Sequence, residues 1–264
     1  MGAKRSLGQN FLQNTGIVEK IISFADLSPD ERVLEIGPGR GILTGALERH
    51  CFHVLAVEKD DQLFERLAGM FEKSDRVTII HGDILECELG DFIRPGIKIV
   101  ANLPYNIASK LIMNLTDHAR DIASAVLMVQ AEVASRICAH AGQKDYSALS
   151  VLVSSVFEPE PGFIVGPEHF IPKPKVNSQV IKLVSKGVSI PQEDVGTFRK
   201  VVFAAFNQRR KMLKNSLQCL EGMDRESVHE LLGIQGIDPA KRPQDLSPQD
   251  YLGLSRVYRR YNIS

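Results

Sequence analysis

Val33-Leu34-Glu35-Ile36-Gly37-Pro38-Gly39-Arg40-Gly41 passes directly from a short, β-branched apolar segment into three closely spaced glycines, and Ile42 to Arg49 continues with helical character. A strand, a glycine turn and a helix in that order form the opening unit of an open α/β sheet. Glycines let the backbone turn sharply and let a ligand lie against it, while the start of the helix offers free N–H groups. The dinucleotide fingerprint G-x-G-x-x-G is not met, because Gly41 is followed by Ile42, and this counts against a pyrophosphate ligand.

Working outward, His53 to Val57 reads as the next strand and ends in Glu58, about 20 residues beyond the glycines, where an acidic residue takes ribose hydroxyls in such folds. Val77 to Ile80 is a third strand, with Gly82 and Asp83 at its end. An acid there can accept from an adenine amino group. Taken singly, Glu58 and Asp83 read as solvated carboxylates. Together with the glycines, at successive strand ends, they outline one nucleoside pocket.

Ile97 to Ala101 is a further apolar strand, and Asn102-Leu103-Pro104-Tyr105 follows at its carboxyl end, before a helical stretch from Ile107 to Leu115. Pro104 has no N–H, fixes its own φ and pushes Leu103 out of the α region. The Asn102 side-chain oxygen and the Leu103 carbonyl can then converge on one amino group. Tyr105 offers a flat ring for a base, a stack worth ~1–3 kcal/mol. An exocyclic amine is a poor nucleophile because its lone pair is spread into the ring; two acceptors on its hydrogens favour a pyramidal nitrogen with a localised lone pair. An ordinary strand-to-helix turn explains the same residue types equally well.

Ala125 to Val129 reads as a fifth strand, Tyr146 to Val153 as a helix, Ser155 to Val165 as an edge strand broken by Pro159 and Pro161, and Asn177 to Val184 as the strand that closes the sheet. The proline-stiffened loop Phe170 to Val176 either brings Phe170 to the second face of a base stacked on Tyr105 or is a surface connection with one anchoring aromatic. In the N-terminal stretch Leu7 to Leu12, Asn10 and Phe11 are either a gate over the site or a segment packed onto the domain. Lys186 to Gly196 loses periodicity and divides a domain over 1–186 from a helical one over 187–264. No acid lies between Asp194 and Glu221, while Arg199, Lys200, Arg209, Arg210, Lys211 and Lys214 are all basic. That is either a footprint for RNA phosphates or a solvated helix face. Ser247-Pro248 starts a last helix, which ends in Arg256, Arg259 and Arg260, cations that suit the helix dipole.

Composition narrows the classes. With 32 basic and 32 acidic residues the formal charge is zero, which excludes a uniformly basic nucleic-acid binder but not a local basic face. No apolar run is long enough for a membrane span, and none follows Met1 to Arg5 as a secretory signal requires. The four cysteines, Cys51, Cys87, Cys138 and Cys219, are scattered singly, without zinc or disulfide spacing, which suits a reducing cytoplasm. His50-Cys51-x-His53 is the one cluster of metal-ligand types; it straddles a helix end and a strand start, and no metal is expected.

The segments Gly-Gln-Asn-Phe-Leu (8–12), Glu-Ile-Gly-Pro-Gly-Arg-Gly (35–41), Val-Glu-Lys-Asp (57–60), Gly-Asp-Ile (82–84), Asn-Leu-Pro-Tyr-Asn-Ile (102–107) and Phe-x-Pro-x-Pro-x-Val-x-Ser (170–178), in that order, resemble the rRNA adenine dimethyltransferases over nearly the whole chain. The tail Ala205-Phe206-Asn207-Gln208-Arg209-Arg210-Lys211 is similar to the bacterial small-subunit branch rather than to the large-subunit relatives that confer macrolide resistance. The resemblance implies an α/β fold of the class I S-adenosylmethionine (SAM)-dependent methyltransferase type: Rossmann-like, with a seven-stranded, mostly parallel sheet and a small all-helical C-terminal domain. It implies SAM as cofactor, S-adenosylhomocysteine as product, and dimethylation of two adjacent adenosines in a loop near the 3′ end of 16S rRNA. The partner would be that RNA within the small ribosomal subunit or its precursor, the protein a monomer serving ribosome biogenesis.

By matching positions, Asn10, Leu12, Gly37, Gly39, Glu58, Asp83, Ile84 and Asn102 would line the SAM site, with Glu58 on the ribose and Asp83 and the Ile84 backbone on the adenine. Asn102, Leu103, Pro104 and Tyr105 would act on the target amine, with Phe170 opposite. No general base is implied. A nicotinamide dehydrogenase would want the missing fingerprint and an acid–base histidine; a DNA adenine methyltransferase shares the turn, but the loop at 170–176 and the basic tail favour RNA.

Overall fold

The computed structural model describes residues 9–261; Met1 to Arg5, Leu7 and Gly8, which entered the sequence reading, lie outside them. Nine strands and ten α-helices are found among the described residues. Seven strands form one sheet: β2 (Arg32–Ile36), β3 (His53–Glu58), β4 (Val77–His81), β5 (Ile97–Asn102), β6 (Ile122–Gln130), β7 (Phe157–Val165) and β9 (Ser178–Ser185), in the order β4-β3-β2-β5-β6-β9-β7. β1 (Phe11–Leu12) and β8 (Phe170–Ile171) form a separate antiparallel pair. β2 pairs in parallel with both β3 and β5, β3 with β4 and β5 with β6, whereas β9 runs antiparallel to β6 and β7.

Physical causes are local. Val33, Leu34 and Ile36 of β2 are all buried, as a central strand covered on both faces requires. The helix α1 (Thr15–Ala25) buries Ile17, Val18, Ile21 and Ile22, and its N-cap Asn14 accepts from the Ile17 N–H at 3.1 Å. β7 carries Pro159 and Pro161 and lies at the sheet edge, where missing N–H groups are tolerated. Ser28-Pro29-Asp30-Glu31 looks like a helix cap and even makes the reciprocal bond, Ser28 N–H to Glu31 Oε2 at 2.8 Å, yet it ends as a turn before β2. The β-branched run behind it decides the outcome.

Between β2 and α2 (Ile42–Leu47) the glycine turn folds back on itself, Gly41 donating to the Pro38 carbonyl at 3.0 Å. Gly41 has φ +82°, and a Cβ there would stand 2.9 Å from Leu67 Cδ2 of α3 (Asp61–Met70). Gly41→Ala is expected to lower stability by about 1–3 kcal/mol, from left-handed strain plus crowding, read as a fall in the urea midpoint.

Packing divides the chain into two units, one running up to Ala134 and resuming over Phe157–Val188, the other made of Ser135–Val156 with the chain from Ser189 onward. This corrects the boundary placed at residue 186. The segment 135–156 belongs with the C-terminal helices: the Tyr146 hydroxyl donates to the Leu246 carbonyl at 2.9 Å, Gly142 N–H donates to the Gln244 carbonyl at 2.7 Å, and the Tyr146 ring meets Phe206 edge-on at 6.0 Å. Helix α6 (Ala148–Ser154) buries Leu149, Val151, Leu152 and Val153.

The aperiodic stretch is also shorter than its sequence suggests, since α7 (Gln192–Asn207) already starts within it. Asp194 in its first turn is buried and accepts from Arg259 Nη1 at 2.6 Å, with Arg256 Nε at 3.8 Å. The last helix, α10 (Pro248–Tyr261), is opened by Ser247, whose Oγ accepts from the Asp250 N–H at 3.2 Å. Two of its arginines thus hold a buried carboxylate besides opposing the helix dipole. No helix among the described residues is long and apolar enough to cross a membrane.

Candidate active site at the carboxyl ends of the parallel strands

β2 is the switch point of the sheet: the chain moves outward through β3 and β4, then returns to the other side of β2 as β5. Crevices form at such points, outside the carboxyl ends of the strands. A cleft lies there, with a cavity of about 130 Å³. Its wall contains Asn10 and Leu12 from the N-terminal pair, Gly37 and Gly39 from the glycine turn, and Glu58, Asp83 and Ile84 from the ends of β3 and β4. Asn102, Leu103, Pro104 and Tyr105 after β5 complete it. Four successive strand ends bring the residues from Gly37 to Tyr105 to one cleft, and the N-terminal segment adds Asn10 and Leu12.

The glycine turn is tied to Glu58. Its Oε2 accepts from the Gly39 N–H at 3.0 Å and its Oε1 from the Asp60 N–H at 2.9 Å. Burial raises the Glu58 pKa, and these N–H groups oppose the rise. Gly39 has φ +60°, and a Cβ there would come within 3.1 Å of the Phe11 ring, over which the Arg40 guanidinium lies at 4.6 Å. Phe11 therefore covers the turn. At Asp83, burial acts to raise the pKa, but the Lys59 ammonium, 2.5 Å from Oδ2, and the Leu85 N–H on Oδ1 hold it below the usual carboxylate range.

The turn after β5 is fixed at several points. Leu103 N–H donates to the Met128 carbonyl at 3.1 Å and Ile107 N–H to the Pro104 carbonyl at 3.2 Å. Asn102 Nδ2 donates to the Asn10 carbonyl at 3.2 Å, which occupies the donor end of that amide and leaves Oδ1 as its acceptor end. The half-buried Tyr105 ring is anchored through its hydroxyl, 2.8 Å from the Oγ of the buried Ser178; burial raises its pKa.

Phe170 departs from the sequence reading. It is 1% exposed, packs in the core with Leu12 as its register partner across β1 and β8, and does not line the cleft. Strand alternation is the reason: with Phe170 turned inward, the next residue, Ile171, is the one left exposed. The basic stretch lies in the other unit and is heterogeneous. Lys200, Arg210 and Lys211 are exposed, whereas Arg199, Arg209 and Lys214 are half-buried, and Arg209 Nη2 donates to the Lys144 carbonyl. Among the possible metal ligands, Cys51 is buried with its Sγ on the Leu47 carbonyl, and no group of three His, Cys, Asp or Glu is placed to hold an ion among the described residues.

Glu35 was not singled out from sequence. It lines the cleft, is 1% exposed, and its Oε2 has no hydrogen-bond partner. Burial pushes its pKa up to about 8; the Thr44 hydroxyl pulls the other way without reaching hydrogen-bond geometry, and the Glu58 charge adds to the rise. The available signal was a carboxylate inside an otherwise apolar run, Val33-Leu34-Glu35-Ile36, which a buried strand tolerates only for a reason.

Comparison with known proteins agrees with this geometry. The family described as ribosomal RNA adenine dimethylase matches residues 2–259. Ribosomal RNA small subunit methyltransferase A of Geobacter metallireducens is 39% identical over 263 residues, covering 97% of this chain and 95% of that protein. The protein of the same name from Moorella thermoacetica is 40% identical, covering 96% and 92%. Among solved structures, a dimethyladenosine transferase from Plasmodium falciparum superposes with a TM-score of 0.78 at 25% identity, over 96% of this chain and 98% of that one. The 23S rRNA methyltransferase ErmE does so with a TM-score of 0.68 at 26% identity, over 94% and 98%. The sheet is that of the class I methyltransferases, and the chain belongs to the ribosomal RNA adenine dimethylase family.

Proposed function

We propose that the chain dimethylates the exocyclic amines of two adjacent adenosines near the 3′ end of 16S rRNA, using SAM, as a cytoplasmic monomer acting on the small ribosomal subunit or its precursor. One observation carries this reading: a turn suited to a target amine, Asn102 to Tyr105, shares a cleft with a nucleoside-binding set, Glu58 and Asp83. The relatives named for the small subunit, at 39% and 40% identity, favour that substrate over 23S rRNA or DNA.

The residues fit SAM. A buried carboxylate oxygen without a partner, Glu35 Oε2, suits a ligand that carries positive charge, and two further acids suit ribose hydroxyls and an adenine amine. Glu58 would hold the ribose, Asp83 and the Ile84 backbone the adenine, and Asn10, Leu12, Gly37 and Gly39 the faces between. When bound, SAM supplies an electrophilic methyl group on its sulfonium. Asn102 Oδ1 and the Leu103 carbonyl accept from the target amine and localise its lone pair, and the Tyr105 face aligns the base. No side chain need act as base, since the extra amine proton leaves to water after transfer.

The direct test is incubation with methyl-labelled SAM and small-subunit particles lacking the modification, followed by primer extension. Stops at two adjacent adenosines near the 3′ end are expected; particles that take up no label, or label without those paired stops, overturn the assignment. For the cofactor set, Glu58→Ala is expected to weaken SAM binding by about 1–3 kcal/mol in calorimetry, because it removes the ribose acceptors and frees the Gly39 N–H. Unchanged affinity would remove Glu58 from the site.

A further inference from the structure

We propose that the exposed face of α7 is a stacking platform for single-stranded RNA, with Phe203 as the residue that takes a base. Phe203 is 46% exposed in mid-helix and makes no ring or cation contact among the described residues. Phe52, the other exposed aromatic, lies under the Arg32 guanidinium at 5.7 Å. A lone exposed apolar residue means little. What surrounds Phe203 gives it meaning.

Lys200 lies three residues before it and Asn207 four after, so all three share one helix face, and all three are exposed. That face runs into the turn that carries Arg210 and Lys211, also exposed, and Met212 beyond them is 37% exposed. Lys200, Arg210 and Lys211 form no ion pair among the described residues, and the chain has no acid from 195 to 220. On the opposite face Phe198, Val201, Val202 and Ala205 are buried, so the helix is fully supported and its outer face is free of packing duty. An aromatic face flanked by uncompensated cations and an amide is the composition that binds unpaired nucleotides: bases stack, phosphates pair, and sequence matters little. The partner is RNA, which follows from the charge and rests on the proposed rRNA substrate. Of the six cations read from sequence, Lys200 shares the helix face of this ring, and the exposed Arg210 and Lys211 follow in the turn after the helix.

The test is binding of the full chain, in a Tyr105→Ala background so that the cleft offers no stack, to a short fluorescein-labelled oligoadenylate followed by anisotropy over a salt series. Phe203→Ala is expected to weaken binding about tenfold with the salt slope unchanged, and Phe203→Tyr to retain it. Lys200→Gln with Arg210→Gln should instead flatten the slope, by roughly 0.7 log units for each phosphate that is no longer neutralised. Phe203→Leu separates stacking from plain burial. Binding that survives Phe203→Ala, that is rescued as well by Leu as by Tyr, or that is absent in the parent at low salt overturns the platform; Leu rescue would point to an apolar protein contact instead. The measurement uses neither SAM nor turnover, so a failure of methyl transfer to small-subunit particles leaves its outcome readable on its own.

Discussion

Asn102→Ala is expected to slow single-turnover methyl transfer by about 10²–10³-fold at saturating SAM, the range seen when one preorganised polar group is removed from a transition state. The expectation rests on how little freedom the turn has. Leu103 is tied to β6 through the Met128 carbonyl, Pro104 to the start of α4 (Ala108–Leu115) through the Ile107 N–H, and Asn102 to Asn10 through its Nδ2. An amide held by its donor end presents its acceptor end in a set direction, so no reorganisation is needed as the amine becomes pyramidal.

Asn102 also lines the cofactor cleft, and SAM affinity must therefore be measured in the same variant. Tyr105 supplies the contrast. Tyr105→Ala removes the ring that aligns the base and should be severely slowed. Tyr105→Phe keeps the ring but strips the partner of the Ser178 hydroxyl, so a stability loss of about 0.5–1.5 kcal/mol with turnover changed only a few-fold is expected. A near-normal rate in Asn102→Ala, or a Tyr105→Phe variant as slow as Tyr105→Ala, would make the turn a structural element.

Much of this site is legible from sequence because the features that build it are local. Apolar runs of four to six residues mark β2 to β5, and glycine, proline and carboxylate residues sit directly after them, where the sheet gathers strand ends. What was not legible depends on distant pairing. Phe170 in a proline-rich loop has the composition of an exposed contact, and only its register against Leu12 turns it inward. The segment 135–156 shows no sign in its own residues of packing with helices some hundred positions later; the Tyr146 hydroxyl on the Leu246 carbonyl is a tertiary event. Arg209 reads like its neighbours Arg210 and Lys211, and differs because its guanidinium reaches the Lys144 carbonyl. Glu35 was visible but is explained only once it is found buried in the cleft wall with one carboxylate oxygen unpaired.

For Glu35→Gln two opposite pH effects are expected. In the folded, cofactor-free chain the carboxyl ionises near pH 8, against 4.5 for a free glutamate, because burial disfavours its charge. The unfolded chain thus loses this proton first as pH rises, and the parent loses stability progressively from about pH 5 to about pH 8, levelling above that. The difference between the two values sets the full swing at about 4–5 kcal/mol. Glu35→Gln removes that slope. Its buried amide costs about 1–3 kcal/mol for imperfect pairing, so the signature is the flattened pH dependence of the urea midpoint, not the stability at one pH.

Cofactor binding should move the other way. A cation placed at the partnerless Oε2 favours the carboxylate, so binding below pH 8 releases a proton and SAM affinity rises with pH until about 8. Glu35→Gln should abolish both the proton release and the pH dependence and weaken SAM by roughly 10- to 100-fold, the worth of a charged hydrogen bond. Calorimetry in two buffers of different ionisation enthalpy measures the proton directly. If the parent releases none, or if the variant binds SAM as tightly as the parent, then Glu35 is a neutral structural acid, and the positive end of the ligand is held by other groups in the cleft.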